Sequence, residues 1–342
     1  MLPIDENQVV EVRADGVRVT DLDGAEVELE PFEVEWDVAR AQKGGFDDFM
    51  LKEIHEQPSA IRDTLVGRVS EHGLLALDEL HTDTDASCAR STRCSSSRAG
   101  RRSIRVWSRS TRSSTGRACR SRSTSPRSSG TGTRCSGPNT LTLAVSQSGR
   151  RSTPLEAARH ASRQGSKVIA VTNTIGSSLA READAVMYTH AGPEICVAAT
   201  KTFATQMAAL HLVALYLAQI RGAMFPVEIG DIVSRMRELP GQVRRTLALS
   251  EQIRGIAEEI REARDVLFIG RHTGYPAALE GALKLKELSY VHAEGYPAGE
   301  LKHGPIALVG GGRAGRRGRD RVPRLPEGRC RTSRRSARAA PA

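Results

Sequence analysis

Ser146-Gln147-Ser148-Gly149 is the sharpest local cue to chemistry in this sequence. It follows the apolar run LTLAV (141–145) and precedes Leu155, Ala158 and Ala161, which are spaced as one face of a helix. Hydroxyls and backbone N–H groups gathered at a helix N-terminus attract an anion, and the aligned peptide dipoles add favourable charge. The turn therefore suits a phosphate, although the same serines would also cap a helix that binds nothing. A second constellation lies in GALKLKELSYVHAEGYPAGELKHGPIAL, residues 281–308. Lys284 and Glu287 are three apart and share a helix face, as a solvated ion pair or as an acid/base couple. His292 and His303 are open to structural and catalytic readings alike. Gly295, Pro297 and Gly299, followed by Lys302-His303-Gly304-Pro305, read as loop, where polar residues more often serve function than packing. A third stretch, Glu194 to Lys201, opens a long helix whose first N–H groups either receive a ligand or are capped.

The elements that must hold these residues alternate. Strand LTLAV and its helix are followed by strand KVIAVTN (167–173), the short helix SSLAREA (177–183), strand AVMYT (185–189) and a helix from about Cys196 to Arg221. A second cycle runs through a helix at 227–263, broken near Pro240, strand DVLFIG (265–270) and a helix from Ala277 to Tyr290. Strand–helix alternation at this spacing predicts right-handed βαβ units around parallel sheets. Before them, residues 8–34 alternate about Asp15-Gly16 and Asp23-Gly24 as a small antiparallel meander, and residues 37–69 read as a helix pair divided at Pro58.

Charge separates the patterned parts of the chain from the rest. The 342 residues carry +10 overall, but residues 81–140 hold 13 Arg, no Lys and 2 acidic residues, and residues 310–342 hold 11 Arg, no Lys and 2 acidic residues. These segments contribute +11 and +9, leaving the other 249 residues at −10, an ordinary acidic balance. A nucleic-acid partner is not expected, because the basic segments lack Lys and hold no interleaved aromatics beyond Trp107. Residues 81–140 also hold 16 Ser and show no periodicity, which predicts disorder. Arg, Ser, Gly, Pro and Ala without Lys is what a GC-rich gene yields out of frame, so two frame-shifted stretches are expected. Cys88, Cys94, Cys119, Cys135 and Cys330 fall in the basic segments and Cys196 alone in patterned sequence, with no zinc-ligand spacing. No signal peptide is seen and the apolar run Met207–Ile220 is short for a span, so a cytoplasmic protein without a membrane segment is expected.

Taken together, SQSG, VIAVTNTIGSSLAREAD, GPEICVAATKTFATQMAALHL and EGALKLKELSYVHAEGYPAGELKHGPIAL resemble the isomerase half of the glutamine–fructose-6-phosphate aminotransferases, a family that pairs two sugar isomerase (SIS) domains. FEVEWDVARAQKGGFDDFMLKEIHEQPSAIRDTL is similar to the end of that family's glutaminase domain and its linker. The resemblance implies an α/β fold of two SIS-type parallel-sheet domains, both incomplete, preceded by the meander and a helical linker. Its expected divisions are 1–36 (glutaminase remnant), 37–80 (linker), 81–140 (disordered), 141–226 (first SIS domain), 227–309 (second) and 310–342 (disordered tail).

The resemblance also implies roles. Ser146, Gln147 and Ser148 would hold the phosphate of fructose 6-phosphate, and Val197 and Ala199 would line the sugar. Glu287, beside Lys284, would move the proton between C1 and C2, and His303 would act in ring opening from the neighbouring subunit of a homodimer. No cofactor or metal is implied. Several parts of the family pattern are replaced. Gly149-Arg150-Arg151 stands where the family has a GET-type continuation, so Arg151 takes the place of a threonine hydroxyl. The first SIS strand with its Gly-Thr-Ser loop has no match within 81–140, nor has the Schiff-base lysine after Val309, and Met1 stands where a glutaminase would have a cysteine. The expectation is retained sugar-phosphate binding with synthase activity doubtful. The alternatives are a non-catalytic sugar-phosphate-binding module or a non-functional fragment.

Overall fold

The structure, a computed structural model, describes residue 4 and residues 8–29, 42–70, 74–80, 93–98, 120–124, 137–150 and 152–309, with backbone alone at 93–98 and 120–124. In chain order its elements are β1 (Gln8–Arg13), β2 (Gly16–Asp21), α1 (Phe49–Leu65), β3 (Arg93–Arg98), β4 (Arg120–Thr124), β5 (Thr140–Ser146), α2 (Ser152–Arg163), β6 (Lys167–Thr172), α3 (Ser178–Glu182), β7 (Ala185–Tyr188), α4 (Lys201–Ile220), α5 (Pro226–Leu247), α6 (Ser250–Ile260), β8 (Asp265–Gly270), α7 (Gly274–Ser289) and β9 (His292–Pro297). The chain divides into a unit Met1–Ala298 and a unit Gly299–Ala342. The described part of the second unit forms two 3-10 turns, Leu301–His303 and Pro305–Leu308.

The main sheet is parallel with strand order β4-β3-β5-β6-β7. Every residue of β5 is buried and so is nearly all of β6, as expected of strands covered on both faces. Alternation then sorts side chains between two layers. Leu141, Leu143, Val145, Ile169 and Val171 join α1, α4 and α5 in the larger core, while Ala144, Val168 and Ala170 pack with Leu155, Ala158 and Ala161 of α2 and Leu179 of α3 in the smaller. A separate parallel pair, β8-β9, runs in register from Asp265 opposite His292 to Gly270 opposite Pro297. Helix α7 packs closely on it: a side chain at Gly295 would come within 2.9 Å of Leu279 Cδ2 and 3.0 Å of its Cα.

Several expectations are corrected. Residues 93–98 and 120–124 are strands, although 81–140 shows no periodicity; strand pairing uses backbone amides, which any residue but proline supplies. The remainder of 81–136, the tail at 310–342 and Arg151 lie outside the described residues. Pro58 does not divide a helix pair, since α1 runs through it, and Pro240 lies within α5, whose break comes at Ala248–Leu249. Each proline removes one N–H from a helix that is held by packing: Ile61, Leu65, Ile229, Val233 and Met236 all enter the larger core. Residues 292–297 form a strand rather than loop. The meander reduces to the β1-β2 hairpin, with a single bridge from Thr20 to Glu26 beyond it.

Helix α4 starts at Lys201, earlier in the apolar stretch than the run counted from Met207, and its 20 residues make it long and apolar enough by length and composition to cross a membrane. Here it fills the core between α1, α5 and the sheet, with Ala209, Leu212 and Val213 fully buried. A core helix of this kind is apolar nearly all round.

Candidate functional site

The Ser146–Gly149 turn lies where the order of the main sheet reverses. From β3 the chain continues to β4 on one side, and from β5 it continues through α2 to β6 on the other, so the neighbours β3 and β5 frame a topological switch point. Ligands of open α/β sheets bind beyond the C-terminal ends of the strands at such a point. Three elements fix the turn. Gly149 N–H donates to Ser146 Oγ at 3.1 Å, and Arg150 N–H to Ser148 Oγ at 3.4 Å. Asn173 N–H donates to Gln147 O at 3.0 Å, and Leu179 N–H at the start of α3 donates to Gly149 O at 3.1 Å. Gly149 has φ +62°, and a Cβ there would lie 2.1 Å from Ser177 Oγ. Ser146 is buried at the base, Gln147 and Ser148 are half-buried above it, and the exposed Ser152 and Thr153 open α2 just beyond. The turn thus gathers hydroxyls and amides shortly before the α2 N-terminus, an arrangement that can attract an anion.

Asn173 joins this turn to the stretch that carries Val197 and Ala199. Its side chain donates to Gly192 O at 2.7 Å and accepts from Ala191 N–H at 2.8 Å and Thr189 Oγ1 at 3.0 Å. Sequence reasoning missed it; the available signal was a lone amide at the end of an apolar strand. From Glu194 to Thr200 the chain is loop, so the helix expected from Cys196 begins five residues later, at Lys201. Glu194 is the reason the N-terminus of α4 is not an open anion site. Its carboxylate accepts from Thr200 N–H at 3.1 Å, Thr202 N–H at 3.3 Å and Thr202 Oγ1 at 2.5 Å, so the capped reading is the one observed. Burial pushes the Glu194 carboxyl above the ordinary glutamate range, opposed by these hydrogen bonds. Within the loop Val197 is fully exposed, Ala199 half-buried and Ala198 buried.

On α7, Lys284 Nζ lies 2.9 Å from Glu287 Oε2 and 3.8 Å from Glu280 Oε1. The pair is formed, and Glu287 keeps 42% of its side chain accessible, enough to meet a ligand. His292 is engaged by Asp265 across the β8-β9 pair, with Nδ1 to Oδ1 at 2.7 Å, which supports its structural reading. His303 is exposed on the Leu301–His303 turn of the second unit. Among the described residues no group of three or more His, Cys, Asp or Glu side chains is placed to share a metal ion.

A SIS domain model matches residues 134–216 and 259–313, covering β5 to α4 and the β8-α7-β9 unit. The chain is 47% identical over 312 residues to the glutamine–fructose-6-phosphate aminotransferase (isomerizing) of Corynebacterium glutamicum, covering 89% of this chain and 48% of that one. It is 46% identical to that of Streptomyces coelicolor, covering 89% and 49%. The chain thus spans about half the length of these curated relatives. Among solved structures it is similar to the C-terminal domain of glucosamine-fructose-6-phosphate aminotransferase from Francisella tularensis, with TM-score 0.70 and 30% identity over 78% of this chain and 74% of that one. The chain belongs to the glutamine–fructose-6-phosphate aminotransferase family, in the part of it that carries SIS domains.

Proposed function

We propose that the chain binds fructose 6-phosphate and contributes to its conversion to glucosamine 6-phosphate, the reaction for which its relatives are named. The observation that carries this reading is the Ser146–Gly149 turn at the switch point of a parallel sheet, set before the N-terminus of α2. Ser146, Gln147 and Ser148 take the phosphate, whose charge is favoured by backbone N–H groups and the helix dipole. Val197 and Ala199 line the sugar. Glu287 carries the proton between C1 and C2, with Lys284 Nζ at 2.9 Å orienting its carboxylate. His303, supplied by a second copy in a homodimer, exchanges the proton of the ring oxygen on opening. The chain works as a cytoplasmic protein.

The test is thermal unfolding with and without millimolar fructose 6-phosphate, followed by turnover with ammonia as nitrogen donor. Ligand that binds the native state alone raises the midpoint as its excess grows. A rise with fructose 6-phosphate supports the reading, and a cooperative transition that no concentration shifts refutes it. A second reading is a sugar-phosphate-binding module without turnover. It predicts the same midpoint shift with no glucosamine 6-phosphate formed.

A further inference from the structure

Helix α1 approaches the 194–200 loop from a position about 140 residues earlier in the chain and holds it by one carboxylate. Glu53 is 2% exposed, and its Oε1 accepts from two consecutive amides, Ile195 N–H at 2.7 Å and Cys196 N–H at 3.1 Å. Two successive N–H groups converge on one oxygen where the backbone curves, so the carboxylate fixes the path of the chain into the next residue. That next residue is Val197, which is fully exposed. The surrounding anchors act on other atoms. Glu194 secures the α4 N-terminus, Asn173 secures Thr189 to Gly192, and Lys201, almost wholly buried, pairs with Glu56 of α1 at 2.7 Å. Glu53 alone among the described side chains engages the two residues directly before Val197.

The carboxylate is only partly satisfied at this place. Its second oxygen, Oε2, is buried with no hydrogen-bond partner among the described residues, and Glu53 stands close enough to Glu194 to oppose that group's ionisation. A half-satisfied buried carboxylate beside another is costly, and a neutral side chain of the same shape would avoid much of the cost. What the charge does provide is a strong, directional hold on two amides whose position sets the loop.

We infer that Glu53 is a positioning residue for substrate: through the Ile195 and Cys196 amides it fixes the loop that presents Val197 and Ala199 to the sugar, and so couples the linker helix α1 to sugar recognition while leaving the phosphate turn untouched. The inference rests on the sugar-phosphate reading above. It separates two parts of one ligand, because the turn at Ser146–Gly149 is held by Asn173, Leu179 and its own serines and makes no use of Glu53.

The experiment compares the wild-type chain with Glu53→Ala and Glu53→Gln, by calorimetric titration with fructose 6-phosphate and separately with inorganic phosphate. The glutamine variant keeps an acceptor oxygen where Oε1 stands. Glu53→Ala is expected to weaken fructose 6-phosphate about tenfold or more, the scale of a lost charge-assisted hydrogen bond, with phosphate affinity within about twofold of wild type. Glu53→Gln is expected to recover most of the sugar affinity. Equal loss of both ligands, or unchanged sugar affinity in folded Glu53→Ala, overturns the inference. Amide hydrogen exchange on the wild-type chain decides the matter if the alanine variant does not fold: the Ile195 and Cys196 amides must be protected, and free exchange at both while fructose 6-phosphate binds overturns the role of Glu53 alone. A wild-type chain that binds neither ligand instead overturns the sugar-phosphate reading on which it stands.

Discussion

Gly149→Ala is the substitution that most directly tests whether the serine-rich turn is a built site. Gly149 sits at φ +62°, where an L-residue costs about 1–2 kcal/mol relative to glycine. Its Cβ would also fall 2.1 Å from Ser177 Oγ, 2.5 Å from Ser177 Cβ and 3.2 Å from Thr172 Oγ1. Ser177 cannot simply rotate away without loss, because its hydroxyl caps α3 by accepting from Ala180 N–H, a cap worth about 1 kcal/mol. Strain and lost cap together predict a destabilisation of about 2–3 kcal/mol. The turn must move to relieve the overlap, and the Gly149–Ser146 and Leu179–Gly149 hydrogen bonds move with it. Urea unfolding measures the first effect, and titration with inorganic phosphate the second, expected as a loss of about tenfold or more. A Ser177→Gly background removes the overlap with Ser177 and leaves the backbone strain beside the milder 3.2 Å approach to Thr172 Oγ1, so there the same change should cost about 1–2 kcal/mol. A Gly149→Ala chain within about 0.5 kcal/mol of wild type, with phosphate affinity intact, would refute the account of the turn.

Other residues give independent checks. Glu194 has a raised folded-state pKa, so its contribution to stability is fully present below the unfolded value and is lost as pH rises through the folded one. The stability of Glu194→Gln relative to wild type should therefore increase with pH from the ordinary glutamate range upward, measured by urea midpoints at several pH values. Arg68 is 4% exposed and donates to Thr64 O at 2.7 Å, Tyr188 O at 2.5 Å and Glu79 Oε1 at 2.5 Å. Arg68→Met should cost about 3–5 kcal/mol by stranding those acceptors, and equilibrium unfolding reads it. Ile169→Ala, at a fully buried position of β6, should cost about 2–5 kcal/mol in the same assay.

The parts of the fold that were legible in the sequence are those where one short window holds the whole pattern. LTLAV, SQSG and the spacing of Leu155, Ala158 and Ala161 define strand, turn and helix within a couple of dozen residues, and β5 and α2 stand where that pattern puts them. Parts decided by distant contacts were hidden. Pro58 and Pro240 are local helix breakers, yet both are buried within helices because neighbouring side chains enter a shared core. The loop clamp was invisible for the same reason: Glu53 and Ile195 are 142 positions apart, and no periodicity links a glutamate on one helix to an amide that distant. Asn173 and Glu194 were in plain sight as residues but had no assignable partner until β6, β7 and α4 were brought together.

Strand β3 was hidden for a different reason, and it leads to a prediction about the gene. It lies between β4 and β5, with Cys94, Ser95, Ser96 and Ser97 opposite Leu141, Thr142, Leu143 and Ala144. An interior parallel strand is covered on both faces and ordinarily reads as an apolar run, which Cys-Ser-Ser-Ser is not. The genetic code connects the two. Cysteine codons and the TCN serine codons begin with T, and reading one base earlier places that T in the second codon position, where only Phe, Leu, Ile, Met and Val are encoded. Those four residues are thus the shifted image of an unbroken apolar strand, in a segment with 13 Arg and no Lys. Resequencing the gene should find TCN codons at Ser95, Ser96 and Ser97, a one-base loss upstream of Cys94 and a compensating gain before Leu141. AGY codons at these serines, which become polar residues or stops in the earlier frame, or repeated reads without such changes, would sink the idea. The restored reading would give the main sheet an apolar strand on the far side of the switch point from Ser146, bordering the crevice in which ligands of open α/β sheets bind.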